Sequence, residues 1–312
     1  MKFVIPGGTG HVGAALVRWL RPKGHEVVVL SRRHEPGCVW WDGRSLGAWS
    51  DEINGADVVI NLAGRTVNCR YTEEHFKEMM DSRVDSTQVV GQAIKQAAQP
   101  PRLWLQSSTA TIYAHTFGEP NDEYDGEIGG NEKGVPAHWK RSIAIAEAWE
   151  ETLNVADTPG TRKVALRSAM TMSPDRGSVF ETLLSLTKKG LGGPIAGGRQ
   201  YVSWIHADDF CRAVEFLTDR EDLEGAVNIC SPNPVTQRDF SRILREEAGV
   251  KVGLPASSWM IEIATRLMKT ESELVLKSRR VVPRRLTEAG FQFLFPKWEE
   301  AARDLIARPI VG

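Results

Sequence analysis

Charge of one sign is missing from this sequence: 39 lysines and arginines stand against 40 aspartates and glutamates, a formal net charge of -1 at pH 7 over 312 residues. So balanced a chain has no basic field of the kind that drives phosphate-backbone binding, which argues against nucleic acid as a partner. Long apolar runs are missing too. None approaches the roughly 18 residues needed to cross a bilayer, so no membrane is expected. Cysteine is scarce: Cys38, Cys69, Cys211 and Cys230 are widely spaced, form no CxxC pair and have no histidine at ligand spacing. That excludes a zinc site and a disulfide framework, and no metal is expected. A reducing compartment suits the four thiols, and the sequence reads as a soluble cytoplasmic protein.

What is present is an ordinary globular composition, 41% hydrophobic and 25% charged, long enough for one large domain or two modest ones. Short runs rich in valine, isoleucine and leucine at 2–5, 26–30, 57–62, 102–107 and 164–167 read as strands. Between them, segments 12–20, 73–98 and 142–153 carry apolar residues three and four apart and read as helices. This βαβ rhythm predicts an α/β fold, a Rossmann-type doubly wound parallel sheet occupying residues 1–169. From about Met170 the rhythm changes. Glycine- and proline-rich loops at 190–198 and 231–234 separate helical patterns such as 205–217 and 259–268. Residues 170–312 are therefore expected to form mainly a smaller mixed C-terminal substrate lobe, interleaved at its boundary and set over the carboxyl ends of the strands, where open α/β sheets bind ligands.

The first strand runs into Pro6-Gly7-Gly8-Thr9-Gly10-His11-Val12-Gly13, which opens a helix. A glycine in such a turn tolerates positive φ, another lets the backbone approach a pyrophosphate, and Gly13 lets helix pack closely on strand. The free N–H groups at His11 and Val12 and the positive helix end then face the anion. The spacing fits GxGxxG through Gly8, Gly10 and Gly13, or GxxGxxG through Gly7, Gly10 and Gly13; in this strand-turn-helix context either points to a dinucleotide. An NAD site would place Asp or Glu at the end of the second strand. Here that strand ends Ser31-Arg32-Arg33. A carboxylate would repel a 2′-phosphate, whereas a hydroxyl and a guanidinium hydrogen-bond it, so the expected cofactor is NADP(H).

With Asn61-Leu62-Ala63-Gly64, Ser107-Ser108-Thr109, Asp81-Ser82-Arg83-Val84, Ser203-Trp204-Ile205-His206 and Val281-Val282-Pro283 added, the chain resembles the extended short-chain dehydrogenase/reductases. More narrowly, it resembles their atypical epimerase-like subfamily. The resemblance implies that Ser31 and Arg32 hold the ribose phosphate, that Leu62 and Ala63 line the cofactor through their backbone, and that Glu78, Arg83 and Arg167 are further cofactor contacts. It also implies catalytic positions for Thr109 and, four residues on, Tyr113.

One departure is clear. The wider family protonates the alkoxide left by hydride transfer from a tyrosine whose pKa is lowered by a lysine four residues on. None of the four tyrosines, Tyr71, Tyr113, Tyr124 and Tyr201, has lysine at that spacing. Alignment on Glu147-Ala148-Trp149-Glu150 puts Ser142 and Ala146 in the two places, and neither is expected to do that work. His138, Lys140 and His206 are the candidate substitutes, each equally readable as a surface or capping residue. Trp40, Trp41 and Asp42 read as packing or as an approach to adenine. Arg279, Arg280, Arg284 and Arg285 read as solvated charge or as an attractor for an anionic substrate. Trp259, Ile263 and Leu267 read as core or subunit interface. Two functions remain open: an NADPH-dependent, epimerase-like oxidoreductase with a replaced proton donor and an unknown small-molecule substrate, or an NADPH sensor whose occupancy governs a protein partner. The oligomeric state, a homo-oligomer included, is left open.

Overall fold

The computed structural model describes residues 1–267 and 271–310. Its centre is a seven-stranded sheet built from β1 (Lys2–Pro6), β2 (Glu26–Ser31), β3 (Cys38–Trp40), β4 (Val58–Asn61), β5 (Leu103–Thr109) and β6 (Arg162–Ser168), closed by a later strand. The strands that follow are β7 (Met170–Met172), β8 (Tyr201–Val202), β9 (Trp204–His206), β10 (Gly225–Ile229) and β11 (Val235–Thr236). The sheet runs β10-β6-β5-β4-β1-β2-β3 with every neighbouring pair parallel. Strand order therefore reverses between β1 and β4, which opens a crevice at their carboxyl ends.

Alternation along β1 explains the two layers. Phe3 and Ile5 point into one core with Leu16 and Leu20 of α1 (His11–Leu20) and Phe210, Val214 and Leu217 of α5 (Ala207–Asp219). Val4 points into the other, with Val89 and Ile94 of α2 (Glu73–Gln96) and Leu153 of α3 (Lys140–Asn154). The long α2 starts where the Thr72 hydroxyl accepts from the His75 amide, with Glu73 and Glu74 in the first turn. Pro100 and Pro101 follow its end.

The second lobe packs Trp204, Phe180 of α4 (Val179–Lys188), Phe240 and Leu244 of α6 (Gln237–Glu247), and Trp298 and Leu305 of α10 (Trp298–Ala307). Trp298 stacks on Phe240 at 4.1 Å, and its Nε1 donates to the Phe240 carbonyl. Between α6 and α10 the described residues also form α7 (Ser258–Leu267), α8 (Glu273–Leu276) and α9 (Arg284–Glu288).

Read from the sequence, the sheet ends near residue 170. The structure corrects this: β10 returns from the later half to pair with β6, Gly225 opposite Val164, and α5 packs beside α1. The pattern at 205–217 is also divided, because Trp204–His206 is strand and the helix starts at Ala207. On α7, Trp259 and Ile263 are exposed rather than core; the Leu267 side chain and Met268 lie outside what is described. No helix among the described residues is long and apolar enough to cross a membrane.

Candidate cofactor site

At the carboxyl end of β1 the chain turns with Gly7 at φ +77°, a conformation that L side chains rarely adopt. A Cβ there would stand 2.8 Å from the Ala63 nitrogen, so the glycine turn and the segment after β4 lie backbone to backbone. A Cβ on Gly13 would stand 2.5 Å from Gly8 Cα. Gly10 faces outward; its Cβ would meet only the Gly7 carbonyl, at 3.5 Å. Gly8 is crowded as well, a Cβ there standing 2.9 Å from Val29 Cγ1, so both spacings hold glycines that close packing requires, and only Gly7 also has a positive φ. Gly10 caps α1 without a side chain, no acidic residue occupies the first turn, and His11 is exposed with Val12 half-buried. This helix end is thus left ready for an anion.

The end of β2 lies beside the turn, Gly7 N–H donating to the Leu30 carbonyl. Ser31 is buried and its Oγ accepts from the Arg33 amide at 3.1 Å. Arg33 is paired with Glu35 at 2.9 Å. Arg32 is exposed and, among the described residues, has no intramolecular hydrogen bond or ion pair. Of the nearby aromatics, Trp41 is core, edge-on to Trp49, while Trp40 is exposed and stacked on His34. Asp42 accepts from the Arg44 and Ser45 amides.

Across the crevice, the buried Asn61 side chain donates to Gln106 Oε1 at 3.0 Å and accepts from the Ala63 amide at 3.1 Å, which fixes the Leu62-Ala63 backbone. Arg83 lies under Gly64, where a Cβ would come 3.3 Å from its Cζ, with the guanidinium 4.8 Å from the Trp149 ring centre. Burial brings its pKa down to about 10. Glu78 is ion-paired with Arg65. The structure thus brings together Gly7, Gly10, His11, Val12, Gly13, Ser31, Arg32, Leu62 and Ala63, with Arg83 beneath Gly64.

Arg167 and Tyr113 belong to a different arrangement. Arg167 Nε and Nη2 donate to the two oxygens of Glu150 at 2.9 and 2.8 Å, and its Nη1 donates to Tyr113 Oη at 2.9 Å. The Tyr113 hydroxyl in turn donates to Asn228 Oδ1, and the residue is 1% exposed. Burial, more than any neighbour, pushes this phenol up to about 12. Such a network ties β6, β10 and α3 together and leaves the hydroxyl no free face. Thr109, at the end of β5, is half-buried and accepts from the Thr111 amide.

The positions aligned with tyrosine and lysine are more informative. Ala146 is wholly buried, but Ser142 is partly exposed and its Oγ lies 2.6 Å from Glu273 Oε2. Lys277 Nζ is 3.8 Å from Glu273 Oε1 and donates to the Thr111 carbonyl at 2.9 Å; both side chains are 1% exposed. Neither Glu273 nor Lys277 is singled out by the sequence reasoning. Their spacing of four was the available signal, lost because the segment carries no motif.

His138 and Lys140 are exposed. His206 is buried and caps α5: Nδ1 accepts from the Asp208 amide at 3.0 Å, so Nε2 carries the hydrogen toward Asp304 Oδ2 at 3.1 Å. Burial takes its pKa from 6.5 down to about 4, against the raising influence of Asp208 and Asp304. Between those values the unfolded chain binds a proton that the folded chain does not. The histidine's contribution to stability is therefore full above about pH 6.5 and falls as pH drops toward 4. Thermal melts from pH 7.5 to 5 are expected to show a falling Tm, flattened in His206→Asn, which keeps a capping oxygen; parallel curves for the two proteins would contradict this.

Each of the four C-terminal arginines has partners; Arg279, Arg280 and Arg285 are half-buried, and Arg284 is solvated, with surface ion pairs. Arg279 donates to Thr111 Oγ1, Arg280 to the Gly118 carbonyl, Arg284 to Asp125 and Glu288, and Arg285 to the Glu224 and Ala226 carbonyls. No cluster of metal-binding side chains occurs among the described residues.

Comparison with known proteins matches residues 3–230 to the NAD dependent epimerase/dehydratase family and residues 256–305 to a domain of unknown function, DUF1731. The epimerase family protein SDR39U1 of Mus musculus is 30% identical over 98% of this chain and 100% of its own length. A crystal structure of human epimerase family protein SDR39U1 (isoform 2) with NADPH superposes with a TM-score of 0.84 at 27% identity, covering 98% of this chain and 99% of that one. A nucleoside-diphosphate sugar epimerase from Corynebacterium glutamicum gives a TM-score of 0.76 at 26% identity, over 98% of this chain and 58% of that one.

Proposed function

Since the chain belongs to the NAD dependent epimerase/dehydratase family, we propose that it binds NADPH in this crevice and is an epimerase-like oxidoreductase acting on a carbonyl or alcohol substrate. The observation that carries the cofactor choice is Arg32, exposed and unengaged beside the buried Ser31, with no carboxylate closing the end of β2. The related human protein solved with NADPH supports the same choice.

The chain's own residues divide the work. The amides at the start of α1 bind the pyrophosphate, Ser31 and Arg32 bind the 2′-phosphate, and the Leu62-Ala63 backbone, held by Asn61, lines the far wall. Bound there, the cofactor supplies or accepts hydride. Thr109, at the mouth of β5, orients the substrate oxygen by a hydrogen bond. The second lobe covers the strand ends and excludes water from the transfer.

Direct titration tests the reading. NADPH is expected to bind more tightly than NADH, and Arg32→Ala to narrow the difference by about tenfold, the worth of one exposed charge-assisted hydrogen bond. Equal wild-type affinities would remove the basis for NADPH. The absence of a tyrosine-lysine pair favours a second reading, in which NADPH occupancy sets the lobe's orientation and a partner's affinity. Pull-downs that recover the same proteins with NADPH, NADP and no cofactor would exclude it.

A further inference from the structure

We propose that Ser142, Glu273 and Lys277 form a proton relay standing in for the missing tyrosine and lysine, with Ser142 the group that touches substrate and Glu273 the positioning residue behind it. The inference rests on the oxidoreductase reading above.

Three observations converge on it. Ser142 occupies the aligned tyrosine position on α3, is partly exposed, and lies 2.6 Å from a Glu273 oxygen that reaches it from the C-terminal lobe. Glu273 Oε1, the other oxygen, is buried and has no hydrogen bond. A buried polar atom without a hydrogen bond costs about 1–3 kcal/mol, offset here in part by the nearby Lys277 ammonium. Lys277 lies one helical turn beyond Glu273, its ammonium 3.8 Å from that same Oε1, and is anchored on the Thr111 carbonyl two residues past Thr109. Acid and lysine thus keep the spacing of four that the family uses for tyrosine and lysine, carried by a different element.

The groups facing Glu273 are Lys277 and Arg279 from its own segment, Ser142 from α3, His138 from the turn before α3, and Tyr71 from the loop ahead of α2, whose buried phenol is also hydrogen-bonded with Ser142. Burial is the largest influence and raises the carboxyl, while Arg279, Ser142, Lys277 and His138 draw it down; the outcome is a raised pKa. Lys277 is lowered to about 8, by burial first and Arg279 second. In the structure Ser142 Oγ donates to Glu273 Oε2; the relay requires Glu273 to take up a proton and donate its O–H to Ser142 Oγ instead, which turns the serine hydrogen to a substrate oxygen.

The step balances as follows. The substrate carbonyl carbon receives hydride from NADPH, and the C=O π pair moves to oxygen. The Ser142 O–H bond breaks as its proton goes to that oxygen, and the Glu273 proton moves to Ser142 Oγ. An alcohol, NADP and a Glu273 carboxylate facing the Lys277 ammonium remain. One solvent proton restores the acid. A hydroxyl cannot donate efficiently from its ordinary pKa; a hydroxyl refilled by a neighbouring acid as it donates avoids that penalty.

Infrared difference spectra of the full chain against Glu273→Gln, taken between about pH 5 and pH 9, test the relay without turnover. A protonated-carboxyl band at neutral pH, absent in the variant, is expected; a Glu273 carboxylate throughout the range would overturn the proposal. In parallel, the wild type is screened for NADPH oxidation with a panel of aldehydes, ketones and nucleotide sugars. On any substrate reduced, Ser142→Ala and Glu273→Gln are expected to lower kcat about 10²- to 10³-fold with NADPH affinity and Tm retained. Glu273→Gln is also expected to lose one limb of the pH profile, which Glu273→Asp restores in part. Full rate in Ser142→Ala would overturn the relay alone. A wild type inert to the whole panel would overturn the oxidoreductase reading, and the relay's role with it.

Discussion

Gly13→Val is expected to weaken NADPH binding at least about 100-fold and to lower Tm by several degrees. The alanine-sized part of that side chain would already stand 2.5 Å from both Gly8 Cα and the Gly8 carbonyl oxygen. Those atoms are backbone in a turn held by Gly8 N–H on the Ile5 carbonyl and Gly10 N–H on the Gly7 carbonyl. Relief requires α1 to move off β1, and overpacking of this kind costs about 1–3 kcal/mol before the two valine methyls are counted. The same movement displaces the amides that would face the pyrophosphate, so stability and affinity fall together. Gly10→Ala is the control. Its Cβ meets only one atom, at ordinary contact distance, so Tm should hold and any loss of affinity reports the ligand's own approach. Fluorescence titration with NADPH and thermal melts check both; a Gly13→Val protein that binds normally would show that the helix is not pressed on the turn.

Arg167→Met is expected to destabilise the protein by about 3–5 kcal/mol, the usual result of leaving one member of a buried ion pair alone. The side chains of Arg167 and Glu150 are 12% and 11% exposed, and Glu150 also accepts from Ser108 Oγ. Resemblance makes Arg167 a cofactor contact; the geometry spends its guanidinium on Glu150 and Tyr113. Arg167→Met with Glu150→Gln should therefore recover much of the lost stability, since the stranded charge is gone while an acceptor for Ser108 remains. Denaturant unfolding of the single and double variants measures this. A folded Arg167→Met with unchanged unfolding but tenfold weaker NADPH binding would return the residue to the cofactor.

The β1-turn-α1-β2 unit was legible because every signal there is local: alternation, glycine spacing and the strand end at Ser31-Arg32 lie within about thirty residues. Strand β10 was not, since Gly225-Ala226-Val227-Asn228-Ile229 gains its identity from β6, some sixty residues earlier in the chain. Short β3 has three residues and a single neighbour, too little for periodicity to register. At the site, Gly7, Gly13, Ser31 and Arg32 could be named because backbone chemistry restricts those positions. Arg167 and Tyr113 were placed by resemblance, and sequence cannot reveal that Glu150 and Asn228 already use their polar atoms. Glu273 reaches Ser142 across 131 residues and Lys277 reaches the Thr111 carbonyl across 166, and only tertiary packing brings them there.

The late return of β10 also bears on how the chain is made. Until residue 229 has left the ribosome, β6 is an open edge, and Leu16 and Leu20 lack the α5 side chains that cover them. A nascent chain that already has its whole phosphate-binding turn therefore carries an unpaired strand and an uncovered apolar stripe through the making of some sixty further residues. Both are recognised hazards for strand-edge association. The cofactor half is translated ahead of the strand and helix that close it.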